Sequence, residues 1–143
     1  MNLWKKVLLI VVILGLAGGL LVYHLVYNKA HPDFERLPSD EVLTAQALYE
    51  EFIADAGSAS ALYNGKVLEV SGTVSLVEQA DDMVIVVFAF SDGLFGEEGV
   101  RCTMLSHWNE EALQLEEGDD VVLKGFCAGF TGNDVILEHC SIL

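Results

Sequence analysis

Basic side chains are scarce in this chain, and scarcest where its acids are dense. Only Arg36, Lys66, Arg101 and Lys124 follow residue 30, whereas all 22 acidic residues do. Four cations against 22 carboxylates leave that part at −18, and Lys5, Lys6 and Lys29 bring the whole chain to −15. A surface of this sign repels phosphate backbones, whose binding needs Lys and Arg to neutralise charge. It suits solubility, basic partners or cations. Cysteine is sparse too. Cys102, Cys127 and Cys140 form no CxxC pair, and His107 and His139 are off zinc-finger spacing from them, which disfavours a zinc site. No nucleophile elbow or phosphate loop frames Ser58, Ser60, Ser71, Ser75, Ser106 or His107. The chain therefore reads as non-enzymatic, and no motif asks for a cofactor. His139 lacks the flanks of a haem-chaperone motif and reads as a half-exposed strand histidine. The acidic pairs Asp81-Asp82, Glu97-Glu98 and Asp119-Asp120 sit at turns without the D-x-D-x-D-G pattern, so they read as solvated strand-end caps rather than calcium ligands.

Charge is absent altogether from one long stretch. Residues 7–27, VLLIVVILGLAGGLLVYHLVY, hold no acidic or basic side chain, with His24 the one titratable group besides the tyrosines. Twenty-one residues at about 1.5 Å each span roughly the 30 Å hydrocarbon core of a bilayer. Lys5 and Lys6 precede the stretch, and short basic flanks stay cytoplasmic. Trp4, Tyr23 and Tyr27 are placed like interfacial anchors. A cleaved signal peptide is the rival reading. The run exceeds the usual signal core of about 7–15 residues, no small-x-small site follows it, and no cysteine offers a lipidation site. A retained anchor is therefore expected, with residues 1–6 cytoplasmic, 7–27 in the membrane and the rest extracytoplasmic. Gly15, Gly18 and Gly19 would permit close helix approach.

Both prolines, Pro32 and Pro38, fall in residues 28–40, which read as a linker. The 113 residues from His31 suffice for one small domain, assigned to 41–143. Ala45, Leu48, Phe52 and Ala56 recur at helical spacing after Thr44, a candidate N-cap. Gly57 and the serines after it predict a break, then a short turn over 61–63. From Lys66 the period becomes two: Leu68, Val70, Val74 and Leu76 face one side, with Gly72 in their row, and Val67, Glu69, Ser71, Thr73 and Ser75 face the other. A glycine there marks a sharp bend or a close approach. Further strands are expected at 83–91, 100–105, 120–130 (with Gly125 central) and 134–143, with turns at 91–99 and at Gly132-Asn133 and a helix over 107–115. This order predicts a mainly β chain with helices: a five-stranded OB-fold barrel preceded by one or two helices, behind an N-terminal transmembrane helix. A five-stranded sandwich-like or α+β sheet is the alternative.

Y-x-G-K-x-x-E-V-x-G-x-V over 63–74, G-D-x-V-x-x-K-G-x-C-x-G over 118–129 and the closing L-x-x-C over 137–140 resemble the tRNA_anti-like family of bacterial OB-fold proteins. The likeness covers about residues 27–143. It implies an OB fold and, as is typical of the family's members, a small exported or membrane-anchored protein, and it carries no catalytic residue set.

The ligand face of an OB barrel lies on its second and third strands and the loops beside them. By fold analogy that face would hold residues 84–90, with Phe88 and Phe90, together with Arg101, Thr103 and the loops 78–82 and 131–134; Lys124 adds a cation. Phe95, Phe126 and Phe130 complete a set of aromatics on which bases could stack, but the cations are too few for a basic groove. An envelope protein or peptide partner is therefore expected, with a single-stranded nucleic acid or oligosaccharide as the alternative. An oxidising compartment permits one disulfide. Cys127–Cys140 lies on a hairpin, although an even hairpin pairs 127 with 137 and would need a bulge to bring them together. Cys102–Cys140, on neighbouring strands, is the second option, and three buried thiols the third.

Overall fold

A computed structural model describes residues 1–27 and 32–143. The chain divides into two compact units, Met1–Pro32 and Asp33–Leu143.

The first unit is helix α1, Leu3–Val26, every residue of which is exposed. Its mean hydropathy of 2.5 and 24-residue length make it long and apolar enough to cross a membrane. Lys5 and Lys6 lie within its first turns rather than ahead of it. Tyr27 closes it by donating its N–H to Tyr23 O at 2.9 Å.

The second unit begins before the expected domain boundary. Residues 28–31 of the expected linker lie outside the described residues, but from Asp33 onward the chain is seated on the domain. Phe34 packs its ring against Phe126 and His139, at centroid distances of 4.7 and 5.1 Å. Asp40 exchanges two bonds with Val67, N–H to O at 2.7 Å and Oδ2 from N–H at 2.8 Å. That clamp starts an unexpected strand, β1 (Glu41–Thr44), parallel to β2. Four residues without alternation gave no period to read.

Thr44 then caps α2 (Ala45–Ala54), its Oγ1 accepting from Ala47 N–H at 3.1 Å. The break expected at Gly57 occurs at Asp55. Its carboxylate accepts from Ser58 N–H and Oγ–H, so α3 (Ala56–Tyr63) is a full helix instead of a turn at 61–63. The strands are β2 (Val67–Thr73), β3 (Leu76–Ala80), β4 (Met83–Gly93), β5 (Gly96–Met104), β6 (Asp120–Phe130) and β7 (Val135–Ile142). A 3-10 turn, Ser106–Trp108, and the one-turn α4, Asn109–Ala112, replace the helix expected over 107–115. The turn expected at 91–99 is a ladder: β4 and β5 stay paired out to Gly93 and Gly96.

The fold is OB-like, but its sheet has seven strands in the open order β1-β2-β6-β7-β5-β4-β3, not five. Two events account for the difference. β1 adds to the edge of β2, and the expected first strand is split into β2 and β3. At the split, Val74 donates its N–H to Asp119 O on one side and Ser75 donates to Val87 O on the other, at 2.8 and 2.9 Å. Consecutive residues thus pair in opposite directions, and the chain curls there, two residues beyond Gly72. Gly72 itself has ordinary φ and serves space: a Cβ would sit 2.9 Å from the Phe88 ring and 3.2 Å from Ala45 Cβ. The core inside the curl comprises Leu48, Phe52, Leu68, Val70, Val86, Phe88, Leu123 and Leu137, all at most 1% exposed. Val86, Val87 and Phe88 are buried in succession, so β4 is covered on both faces over those three residues, as its unbroken apolar run implied.

Candidate functional site

The residues expected at the ligand face do not share one surface. Phe88 is wholly buried beneath Gly72. Phe90 is 38% exposed, its ring 5.6 Å from that of Tyr49, whose hydroxyl hydrogen-bonds Ser91 Oγ at 2.8 Å. Thr103 is half-buried opposite Ile85. Arg101 is held between two carboxylates, Glu78 at 2.6 Å and Asp134 at 3.2 Å. Burial alone would lower its pKa, but Glu78 and Asp134 outweigh that and raise it. Lys124 lies on the far side under the 33–37 segment, donating from Nζ to Glu35 O at 3.0 Å. Glu35 ties the same segment to the 3-10 turn, its carboxylate meeting His107 Nε2 and Trp108 Nε1 at 2.9 Å each. Phe126 packs tilted against Phe34, and Phe130 against Phe52 at 5.3 Å. Two of the expected cations are thus engaged within the fold, Arg101 by two carboxylates and Lys124 by a backbone carbonyl, and of the expected aromatics Phe95 alone is fully presented, at 95% exposed.

The cysteines are three buried free thiols. Cys127 is in register with Leu137, the even pairing that keeps it from Cys140. Burial pushes its pKa to about 11. Cys140 lies against Cys102 instead, and burial, then that neighbour, raise its pKa well above the usual thiol range. His139 sits in the bulge of β7 with φ 53°, its ring against Phe34. The acidic pairs stay apart. Among the described residues no group of three or more His, Cys, Asp or Glu is placed to hold a metal ion.

The structure instead opens a groove of about 1100 Å³ along the outer side of β2. Its floor is the stretch 71–75. One wall is the outer part of the β4–β5 arm, with Phe90, Ser91, Asp92 and Glu97, and the other runs through Glu117, Asp120 and Val122 to Ile142 and Leu143. Thr44, Ser71, Thr73, Ser75 and Ser91 give it a lining rich in hydroxyls. Its charged lining residues are Asp92, Glu97, Glu117 and Asp120, all acidic. Some of these groups are committed: Thr73 Oγ1 donates to Asp120 Oδ1 at 2.7 Å, and Ser75 Oγ accepts from Ala89 N–H at 2.9 Å. Ser71, Thr73 and Ser75 were legible in the sequence as the outward row of the first strand. What makes them a floor is the long arm beside them, in a segment that reads as a turn.

The family model for tRNA_anti-like proteins matches residues 1–142. Among solved structures, a lipoprotein from Klebsiella pneumoniae subsp. pneumoniae, whose name carries a provisional nucleic-acid-binding label, is similar over 75% of this chain and 99% of its own, at 17% identity and a TM-score of 0.57. Weaker likenesses are to the asparaginyl-tRNA synthetase of Pyrococcus horikoshii (16% identity, 70% of this chain and 22% of that one, TM-score 0.42) and to an OBody bound to hen egg-white lysozyme (23%, 57% and 83%, 0.41). A search of curated proteins gives no match. At 17% identity the Klebsiella structure speaks for the fold alone. The match over residues 1–142, together with that fold, shows that the chain belongs to the tRNA_anti-like family.

Proposed function

We propose that this protein is a membrane-anchored binding module, held by α1 with its N-terminus cytoplasmic and its OB domain extracytoplasmic, that takes a basic segment of an envelope protein or peptide in the β2 groove. The observation that carries this reading is the groove's charge: four carboxylates and no cation among its lining residues. A cationic chain gains Coulomb energy there, and the hydroxyl row can satisfy its backbone. The Lys5-Lys6 flank supports the orientation. Against nucleic acid stand the engaged Arg101 and Lys124, because phosphate binding needs cations free to replace counterions.

The test is fluorescence anisotropy on the full-length protein in detergent micelles, with three probes: a short lysine-rich peptide, a mixed single-stranded DNA and RNA pool, and a neutral oligosaccharide. The peptide is expected to bind at micromolar concentration and to weaken with salt. Losing two exposed pairs at about 0.5 kcal/mol each, E97Q/E117Q should weaken it about fivefold. Binding of the oligonucleotide pool or of the oligosaccharide, with none of the peptide, overturns the reading.

A further inference from the structure

The β4–β5 arm ends in two of the most exposed apolar side chains of the protein. Leu94 is 96% exposed and Phe95 95% exposed, and they form the entire two-residue turn between Gly93 and Gly96. Turns of this length favour Asn, Asp and Gly, and large apolar residues there contribute nothing to the fold. The arm is nevertheless well made. Gly96 takes the positive φ of 124°, which leaves Leu94 and Phe95 in ordinary backbone regions. Glu98 lies over Gly93, where a Cβ would overlap its carboxylate. Tyr49 fixes the arm's base to α2 through Phe90 and Ser91. A braced arm that presents a Leu-Phe pair to solvent is organised for contact, because little conformational freedom remains to be lost on binding.

We infer that this tip is a docking element that inserts Leu94 and Phe95 into an apolar socket with a basic rim on a protein partner. The rim follows from charge. Asp92, Glu97 and Glu98 stand immediately behind the tip, and residues 83–99 contain no Lys or Arg. Membrane-inserting elements carry Lys or Arg beside their apolar residues, so three carboxylates here disfavour a lipid surface. A second copy of this chain is disfavoured as well. Of its four cations after residue 30, Arg36 pairs with Asp33, Arg101 with Glu78 and Asp134, and Lys124 with Glu35 O, which leaves Lys66, a single cation and too little for a basic rim. The inference rests on the reading of the domain as a partner-binding module. It extends that reading, because Asp92 and Glu97 are both groove wall and arm: one partner would thread a basic segment through the groove and receive the tip in an adjacent pocket.

The test places a photocrosslinking phenylalanine analogue at Phe95 of the full-length protein in cells, with a control at Ile53 on α2, which is 54% exposed. The expected result is a discrete adduct at 95 and none at 53, mapped by mass spectrometry to an apolar residue flanked by Lys or Arg, and at least fivefold less abundant in E97K. Three results overturn the inference: an adduct with a second copy, equal adducts at 95 and 53, or no protein adduct. For the last, flotation with phosphatidylethanolamine–phosphatidylglycerol vesicles tells a lipid-inserting tip from an idle one. Titration of the unaltered protein with the lysine-rich peptide runs alongside, so that failure of the groove is read separately from failure of the tip.

Discussion

Gly125 offers a quantitative check on how closely β6 and β7 approach. It is buried, its φ is ordinary, and a Cβ there would sit 2.5 Å from Cys140 Sγ, 3.3 Å from Glu138 O and 3.4 Å from Leu137 Cβ. The first contact is far inside van der Waals distance, and Cys140 is wholly buried with Cys102 beside it, so the thiol has little room to yield. Overpacking of this kind costs about 1–3 kcal/mol, against which Gly→Ala returns about 0.4–1 kcal/mol through the unfolded chain. G125A should therefore destabilise by about 1.5 kcal/mol. C140A removes one buried heavy atom and should cost about 1 kcal/mol. In the double variant the new methyl group enters the space the sulfur has left, with the two looser contacts remaining. G125A/C140A should match C140A to within about 0.5 kcal/mol, a favourable coupling of about 1–2 kcal/mol. Urea unfolding of the four proteins in micelles, followed by far-UV circular dichroism, measures the cycle. At a slope of about 1.5 kcal/mol/M the single G125A change moves the midpoint by about 1 M. Additivity within about 0.5 kcal/mol would refute the steric account and leave Gly125 as a backbone requirement.

Phe34→Ala should cost about 1–2 kcal/mol, because a half-buried ring loses two ring contacts, and in a Trp4→Phe background it should shift Trp108 emission to the red as Glu35 loosens; no change in either would show that the 33–37 segment is not seated on the domain. Asp55, whose carboxyl is held below its ordinary value of 3.8 chiefly by the Ser58 hydroxyl and then the Ser58 N–H, contributes stability that is complete above pH 3.8 and is lost as pH falls through the lowered value. The stability difference between the unaltered protein and D55N should therefore shrink as pH falls below 3.8, and a difference that stays flat on acidification would contradict the cap. All three thiols should resist a disulfide reagent at pH 8 in the folded protein and react together in guanidinium; a fast stoichiometric thiol would contradict their burial.

The parts of the fold visible in the sequence were those governed by local periodicity. The limits 120–130 matched β6, and Thr44 performed as a cap, because alternation and capping are settled within a few residues. The extra strand β1 was not visible, since Glu41–Thr44 becomes a strand only when Asp40 clamps it to Val67, 27 residues away. The arm was misread for a related reason. The Gly, Ser, Asp and Glu of 91–99 are turn formers one by one, and only cross-strand pairing from Ser91–Glu98 to Gly93–Gly96 makes them a ladder. Gly72 was marked as a sharp bend or a close approach to another backbone, and Gly125 as a second such glycine. Each instead makes room for a bulky neighbour, Phe88 in one case and Cys140 in the other.

The site divides along the same line. Assigning Arg101 and Lys124 to an open ligand face required knowing which side chains lie next to them, and that depends on pairings across 23 to 89 residues of chain. The charge balance needed no such knowledge, because a sum over residues is indifferent to the fold. Its consequence reappears in the structure in positional form: a domain with four cations spends Arg101 and Lys124 on internal contacts, and its groove is lined by acids. A phosphate ligand would have to compete with Glu78 and Asp134 for Arg101 and displace the 33–37 segment to reach Lys124. A cationic ligand finds Asp92 and Glu97 already at the surface, two residues from an exposed Leu-Phe pair. Charge complementarity and apolar display thus meet on the β4–β5 arm, and there a partner would gain both without disturbing the fold.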